Sequence, residues 1–90
     1  MSENAIENIE EHRKAIDGID AQLVELLNKR AEQSLAIRNL KPSAQLGLYD
    51  PKREEQIFEK VEALNAGPMY DEDLRTIFAT ILKVMKEIQA

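Results

Sequence analysis

Three cations stand where a helix should be apolar. Alternate steps of three and four residues along the N-terminal part of the chain trace Ile6, Ile9, Arg13, Ile16, Asp20, Leu23, Leu27, Arg30, Ser34, Ile37 and Lys41, with Ile19, Leu26 and Leu40 alongside. That spacing defines one face of an α-helix, and its aliphatic majority marks the face for burial. A Lys or Arg placed there costs several kcal/mol unless it is paired or kept wet. Snorkelling past the stripe edge, or fixing the register of a helical seam, accounts for any one of Arg13, Arg30 and Lys41. All three together would need acidic partners on the same stripe, and Asp20 is the one such residue there. The surplus of positive charge favours an anionic ligand.

Distance restricts how that ligand is held. Arg30 and Lys41 lie about 16 Å apart along a helix axis, so two long side chains can converge on a small molecule between them. Arg13 is about 25 Å before Arg30, beyond reach of the same small ligand. If the three serve one site, Arg13 must come from a neighbouring antiparallel copy of the chain.

The later segments repeat the pattern. Asp50 followed by Pro51 reads as an N-cap with proline in the first helical position. Arg53 and Glu54 then stand three and four positions before Ile57 and Phe58, at the start of that helix's apolar stripe. Gln89 continues Phe78, Leu82 and Met85 at turn spacing. Each has a plainer explanation: capping for Asp50, an exposed first turn for Arg53 and Glu54, a frayed terminus for Gln89. Taken together they describe a water-poor cleft with cations for carboxylates, acids for hydroxyls and a neutral amide donor.

Several chemistries are disfavoured by inventory. The chain has no cysteine, and its single histidine, His12, lies in an acidic stretch, which argues against an activated nucleophile or a His-ligated metal. Gly18, Gly47 and Gly67 are isolated, so no glycine-rich phosphate loop is present. Asp71, Glu72 and Asp73 read as favourable charge at a helix start, with no metal site. Neither cofactor nor metal is expected, which leaves catalysis by binding geometry and electrostatics, or no catalysis. A net charge of −5 argues against nucleic acid or an anionic membrane as a partner. With no apolar run of signal-peptide or membrane-spanning length, the expected location is the cytoplasm.

The elements that must position these residues follow from the breakers. One domain, 1–90, is expected: a helix over about 5–41, ended by Pro42, a loop over 42–49, a helix over about 51–66, ended near Gly67–Pro68, and a helix over about 72–89. Asp71 is the expected cap of the third helix. The core faces are Ile57, Phe58, Val61 and Leu64 on the second helix, and Leu74, Ile77, Phe78, Ile81, Leu82, Met85 and Ile88 on the third. Strand signals are absent, so the fold class is all-α. The first helix, roughly 54 Å long, overshoots a 90-residue globule with a radius of gyration near 12 Å. Of the 43% hydrophobic residues, ten are alanines, thin material for a domain that folds alone. Both facts call for a second copy, and the expected architecture is an intertwined helical homodimer.

In order, Arg13-Lys14-Ala15-Ile16-Asp17, Leu26-Leu27-Asn28-Lys29-Arg30, Ile37, Lys41, Asp50-Pro51, Arg53-Glu54, Ile77-Phe78 and Gln89 resemble the all-helical chorismate mutase family over nearly the whole chain. The resemblance implies a three-helix protomer entwined with its twin, two sites per dimer, and the Claisen rearrangement of chorismate to prephenate in the shikimate pathway of aromatic amino acid biosynthesis. It further implies that Arg13 of the partner subunit, Arg30 and Arg53 hold the two carboxylates, that Lys41 and Gln89 donate to the ether oxygen, and that Glu54 and the Asp50 region receive the ring hydroxyl. Such an isomerase needs no cofactor. Another enzyme of the pathway is a possible partner. The chain departs from the family pattern at Met85, where serine often lines the pocket, in one residue fewer near Gly67, and in Pro42 directly after Lys41.

Two other readings stay open on the sequence. An isochorismate-pyruvate lyase would use a similar cationic pocket on the same fold, and the Arg53-Glu54 pair favours the mutase. A non-catalytic helical dimerisation or regulatory module would account for the heptad-like stripe and the 32% charged content. That module predicts that Arg30 and Lys41 tolerate leucine.

Overall fold

The computed structural model describes residues 2–44, 47 and 50–88. Among them are three helices, α1 (Ser2–Leu40), α2 (Pro51–Leu64) and α3 (Asp71–Glu87), and no strand. The all-α reading therefore holds. No helix among the described residues is long and apolar enough to cross a membrane.

Local chemistry accounts for the ends. Pro42 has no N–H to offer the Arg38 carbonyl, and α1 stops at Leu40, although Lys41 N still donates to Ile37 O at 3.0 Å and Ala44 N to Leu40 O at 3.1 Å. Asp50 caps α2 as its type suggests, its carboxylate accepting from Arg53 N at 3.0 Å ahead of Pro51. α2 ends at Leu64, sooner than the glycine and proline would require. The reason is Asn65, whose backbone is extended. Its side-chain oxygen accepts from Gly67 N at 3.0 Å, while its Nδ2 donates to Met69 O and to Asp71 Oδ1, each at 2.8 Å. Gly67 sits at φ 79°, where a glycine avoids the clash of a Cβ. Asp71 is not the cap of α3 but its first residue, preceded by Tyr70, because its carboxylate is taken by Asn65.

The chain divides into two compact units, Met1–Glu32 and Gln33–Ala90. The first is helical throughout its described residues and carries short-range ion pairs, Arg13 to Glu10 at 2.9 Å and Lys29 to Glu25 at 3.1 Å. Its stripe is open to solvent in the single chain: Ile6, Ile9, Ile16, Ile19 and Leu23 are each half or more exposed.

In the second unit α2 packs antiparallel on α3, with contacts 65–71, 62–75 and 54–86 nested one inside another. Leu82 and Met85 are buried, at 7% and 8% exposure. Ile57, Phe58, Val61, Leu74, Phe78, Ile81 and Ile88 are half-buried, as their spacing predicts. Leu64 and Ile77, expected on the same faces, are exposed. Leu64 is the last residue of its helix, where no further turn covers it.

Arg75 fastens this hairpin. Its guanidinium lies 4.4 Å from the centre of the Phe58 ring and donates to Glu62 at 2.8 Å and to Glu55 at 2.8 and 3.0 Å. A cation held against an aromatic face between two carboxylates is stabilised in its charged form. The bonds that Arg75 donates to Glu62, then to Glu55, raise its pKa above the ordinary value.

Candidate active site

The second unit gathers several of the predicted site residues at one end of the α2–α3 hairpin. Asp50 and Arg53 are exposed at the first turn of α2. Glu54, in the same turn, is half-buried and accepts from Lys86 Nζ at 3.2 Å. Lys86 follows Met85, so the acid that the sequence marks for a hydroxyl meets the last turn of α3 where Met85 lies. The Met85 side chain is part of the buried core of this unit. Lys41 is half-buried, immediately after α1. Gln89 lies outside the described residues.

The first unit holds the other two. Arg13 is exposed and bonded to Glu10 one turn away. Arg30 is half-buried.

Two residues at this end escaped sequence reasoning. One is Lys86, on α3 but 32 residues from its carboxylate partner. Its only local signal is a basic residue in the last turn, where the helix dipole favours a cation. The other is Arg38, one position off the predicted stripe. Its guanidinium donates to the backbone carbonyls of Met85, Lys86 and Ile88 at the end of α3. Neither contact has a signature in local spacing, because both are made between helices.

The groups present are cations, the carboxylates of Asp50 and Glu54, and hydrogen-bond donors. Among the described residues no three of His, Cys, Asp and Glu are grouped to hold a metal. An open groove of about 270 Å³ lies at the other end of the hairpin, lined by Val61, Leu64, Asn65, Ala66, Leu74 and Phe78. That lining contains no Lys or Arg and does not suit an anion. The end where Glu54 and Lys86 meet carries charged side chains of both signs, groups able to orient an anionic molecule and stabilise charge within it.

This three-helix chain has known relatives. Residues 12–90 match the family described as chorismate mutase type II. A bifunctional chorismate mutase/prephenate dehydratase of Neisseria gonorrhoeae is 38% identical over 82 residues, 91% of this chain and 22% of its own length. A chorismate mutase of Methanocaldococcus jannaschii is 28% identical over 85 residues, covering 93% of this chain and 86% of its own. Among solved structures, chorismate mutase from Thermus thermophilus superposes in two forms. Form I has a TM-score of 0.83 at 35% identity, covering 87% of this chain and 98% of that one. Form II has a TM-score of 0.86 at 34% identity, covering 91% and 97%. The chain belongs to the chorismate mutase type II family. It spans about a quarter or less of the length of the bifunctional relatives it matches, 22% in one case and 25% in an Aquifex aeolicus protein.

Proposed function

We propose that this chain rearranges chorismate to prephenate, a step of aromatic amino acid biosynthesis, as a homodimer with shared sites. The ether C–O bond breaks as a new C–C bond forms, and no atom enters or leaves. Such a step needs no nucleophile; the site must hold the substrate in its reactive compact conformer and stabilise the negative charge that builds on the ether oxygen.

The roles divide by chemistry. Arg30 and Arg53, with Arg13 of the partner subunit, bind the two carboxylates, for which the planar guanidinium fork is suited. Lys41 and Gln89 donate to the ether oxygen. Glu54 accepts from the ring hydroxyl, with Asp50 close by at the cap of α2. Met85 takes the place of a pocket serine and affects substrate affinity more than reaction type.

The observation that carries this reading is the meeting of α2's first turn with α3's last, Glu54 to Lys86 at 3.2 Å, in a chain matching the family over residues 12–90. The exposed aliphatic stripe of the first unit supports a second copy as its cover. The bifunctional relatives pair a mutase with a prephenate dehydratase, which supports an enzyme acting on prephenate as functional partner.

The test is loss of chorismate absorbance on adding purified protein, with prephenate identified as product. Pyruvate released from isochorismate, with no prephenate from chorismate, overturns the assignment in favour of the lyase.

A further inference from the structure

Arg38 lies in the last turn of α1 and is half-buried. Its guanidinium crosses to the end of α3, where Nη2 donates to the carbonyls of Met85 at 2.8 Å and Lys86 at 2.9 Å, and Nη1 to that of Ile88. The last four carbonyls of an α-helix have no intrahelical partner. In α3 the Val84 carbonyl is met by Ile88 N at 3.0 Å, and Arg38 meets the next two. The arginine is itself firmly rooted, because the bonds from Lys41 N to Ile37 O at 3.0 Å and from Ala44 N to Leu40 O at 3.1 Å carry the backbone ladder past it.

Capping does not exhaust what these bonds do. One of the carbonyls that Nη2 holds belongs to Lys86, and the ammonium of the same residue donates to Glu54 Oε2 at 3.2 Å. Lys86 is thus held at its backbone from α1 and at its tip from α2. A lysine stem carries about 2 kcal/mol of rotamer entropy, whereas a half-exposed pair with a carboxylate contributes roughly 0 to 1 kcal/mol. The bond to Glu54 is too weak to fix the ammonium unless the backbone beneath it is already fixed. Helix ends fray, and Lys86 is next to the last residue of α3. Arg38 removes that freedom, since the planar fork offers several donors at fixed angles to neighbouring carbonyls.

We propose that Arg38 is a positioning residue for the rearrangement: by fixing the carbonyls of Met85 and Lys86 it sets the root of the Lys86 side chain, whose ammonium in turn aims the Glu54 carboxylate at the ring hydroxyl of the substrate. The inference rests on the role given to Glu54 above. In this arrangement Arg38 touches no substrate; it acts through Lys86.

The test is a double-mutant cycle of Arg38→Met and Lys86→Met in the full chain, following kcat/KM for chorismate and, beside it, the melting temperature. Arg38→Met keeps the aliphatic stem and removes the donors. With Lys86 present it is expected to lower kcat/KM about three- to tenfold, the cost of a misplaced group. In the Lys86→Met background it is expected to lower kcat/KM less than about twofold further. The fall in melting temperature, which reports the capping of α3, should be the same in both backgrounds. Arg38→Lys should recover part of kcat/KM. Equal losses of kcat/KM in both backgrounds, or a fall in melting temperature with kcat/KM intact, overturn the proposal and leave Arg38 a structural cap. A Lys86→Met chain as active as the parent overturns it too. Should Arg38→Met fail to fold by circular dichroism, Arg38→Gln taken through the same cycle gives the same decision. A parent chain that leaves chorismate unchanged, or a Glu54→Gln chain that keeps full kcat/KM, defeats the functional reading and this proposal with it. That failure is seen with Arg38 and Lys86 intact, so it is distinct from failure of the proposal alone.

Discussion

The Glu54 carboxylate accepts a hydrogen bond from the Lys86 ammonium at 3.2 Å, tying the first turn of α2 to the last turn of α3. A half-exposed pair of this kind contributes little to stability, roughly 0 to 1 kcal/mol. If Glu54 receives the ring hydroxyl as proposed, the value of the pair lies in aim, with Lys86 on one carboxylate oxygen and the other left to accept the hydroxyl. Lys86→Met is therefore expected to lower kcat/KM several-fold while thermal unfolding shifts little. Glu54→Gln, which removes the charged acceptor, should cost more, about tenfold or beyond. Steady-state kinetics beside a melting curve checks both, and a Lys86→Met chain with unchanged kcat/KM would show that the pair is incidental.

Lys41 and Arg30 test the electrostatic core of the mechanism. Removing a donor aimed at developing charge costs about 100- to 1,000-fold in kcat, so if Lys41 has the proposed role, Lys41→Ala should all but abolish chorismate consumption while the proposed dimer persists in sedimentation. Arg30→Lys keeps the charge and loses the fork; KM should rise and kcat/KM fall at least about tenfold. An active Lys41→Ala chain refutes the site. Retained activity with leucine at both positions would instead favour the non-catalytic module.

What the sequence made legible is local. Asp50 and Pro51 announce the start of α2, Pro42 the end of α1, and the period of the apolar residues on α3 points to Leu82 and Met85, the two buried residues among those described. Their causes act within a turn of the residue concerned. Arg38, Lys86 and Arg75 were not legible, because each is defined by a partner on another helix: Arg38 by the carbonyls at the end of α3, Lys86 by Glu54, Arg75 by Glu55, Glu62 and Phe58. Asn65 was missed for a related reason. Its type suggests a cap, but its three contacts across the α2–α3 turn displace both the end expected for α2 and the cap expected for α3.

Arg75 gives a prediction about pH. Its pKa is raised by Glu62 and Glu55. A group whose folded pKa is raised stabilises fully below its unfolded pKa, and the contribution is lost as pH climbs through the folded value. For a guanidinium that loss falls far into the alkaline range. Arg75→Leu is accordingly expected to lower the melting temperature by the same interval at pH 7 and pH 9, measured by circular dichroism. An interval that narrows between those pH values would mean that another group carries the effect.

The proposed sharing of one site between two copies of the chain can be tested in solution. If Arg13 is supplied by one chain and Lys41 by the other, Arg13→Ala and Lys41→Ala homodimers each have two defective sites. Mixed and allowed to exchange, they form heterodimers in which one site lacks both residues and the other has Arg13 from the Lys41→Ala chain and Lys41 from the Arg13→Ala chain. With free exchange half the dimers are mixed, so about one quarter of all sites should regain full function. Where both residues of a site belong to one chain, every site keeps a defect and mixing restores nothing. Chorismate turnover before and after exchange, with heterodimer formation followed by native mass spectrometry, separates these outcomes. Exchange without recovery would place Arg13 outside the partner's site and remove the functional reason for its position on the apolar stripe.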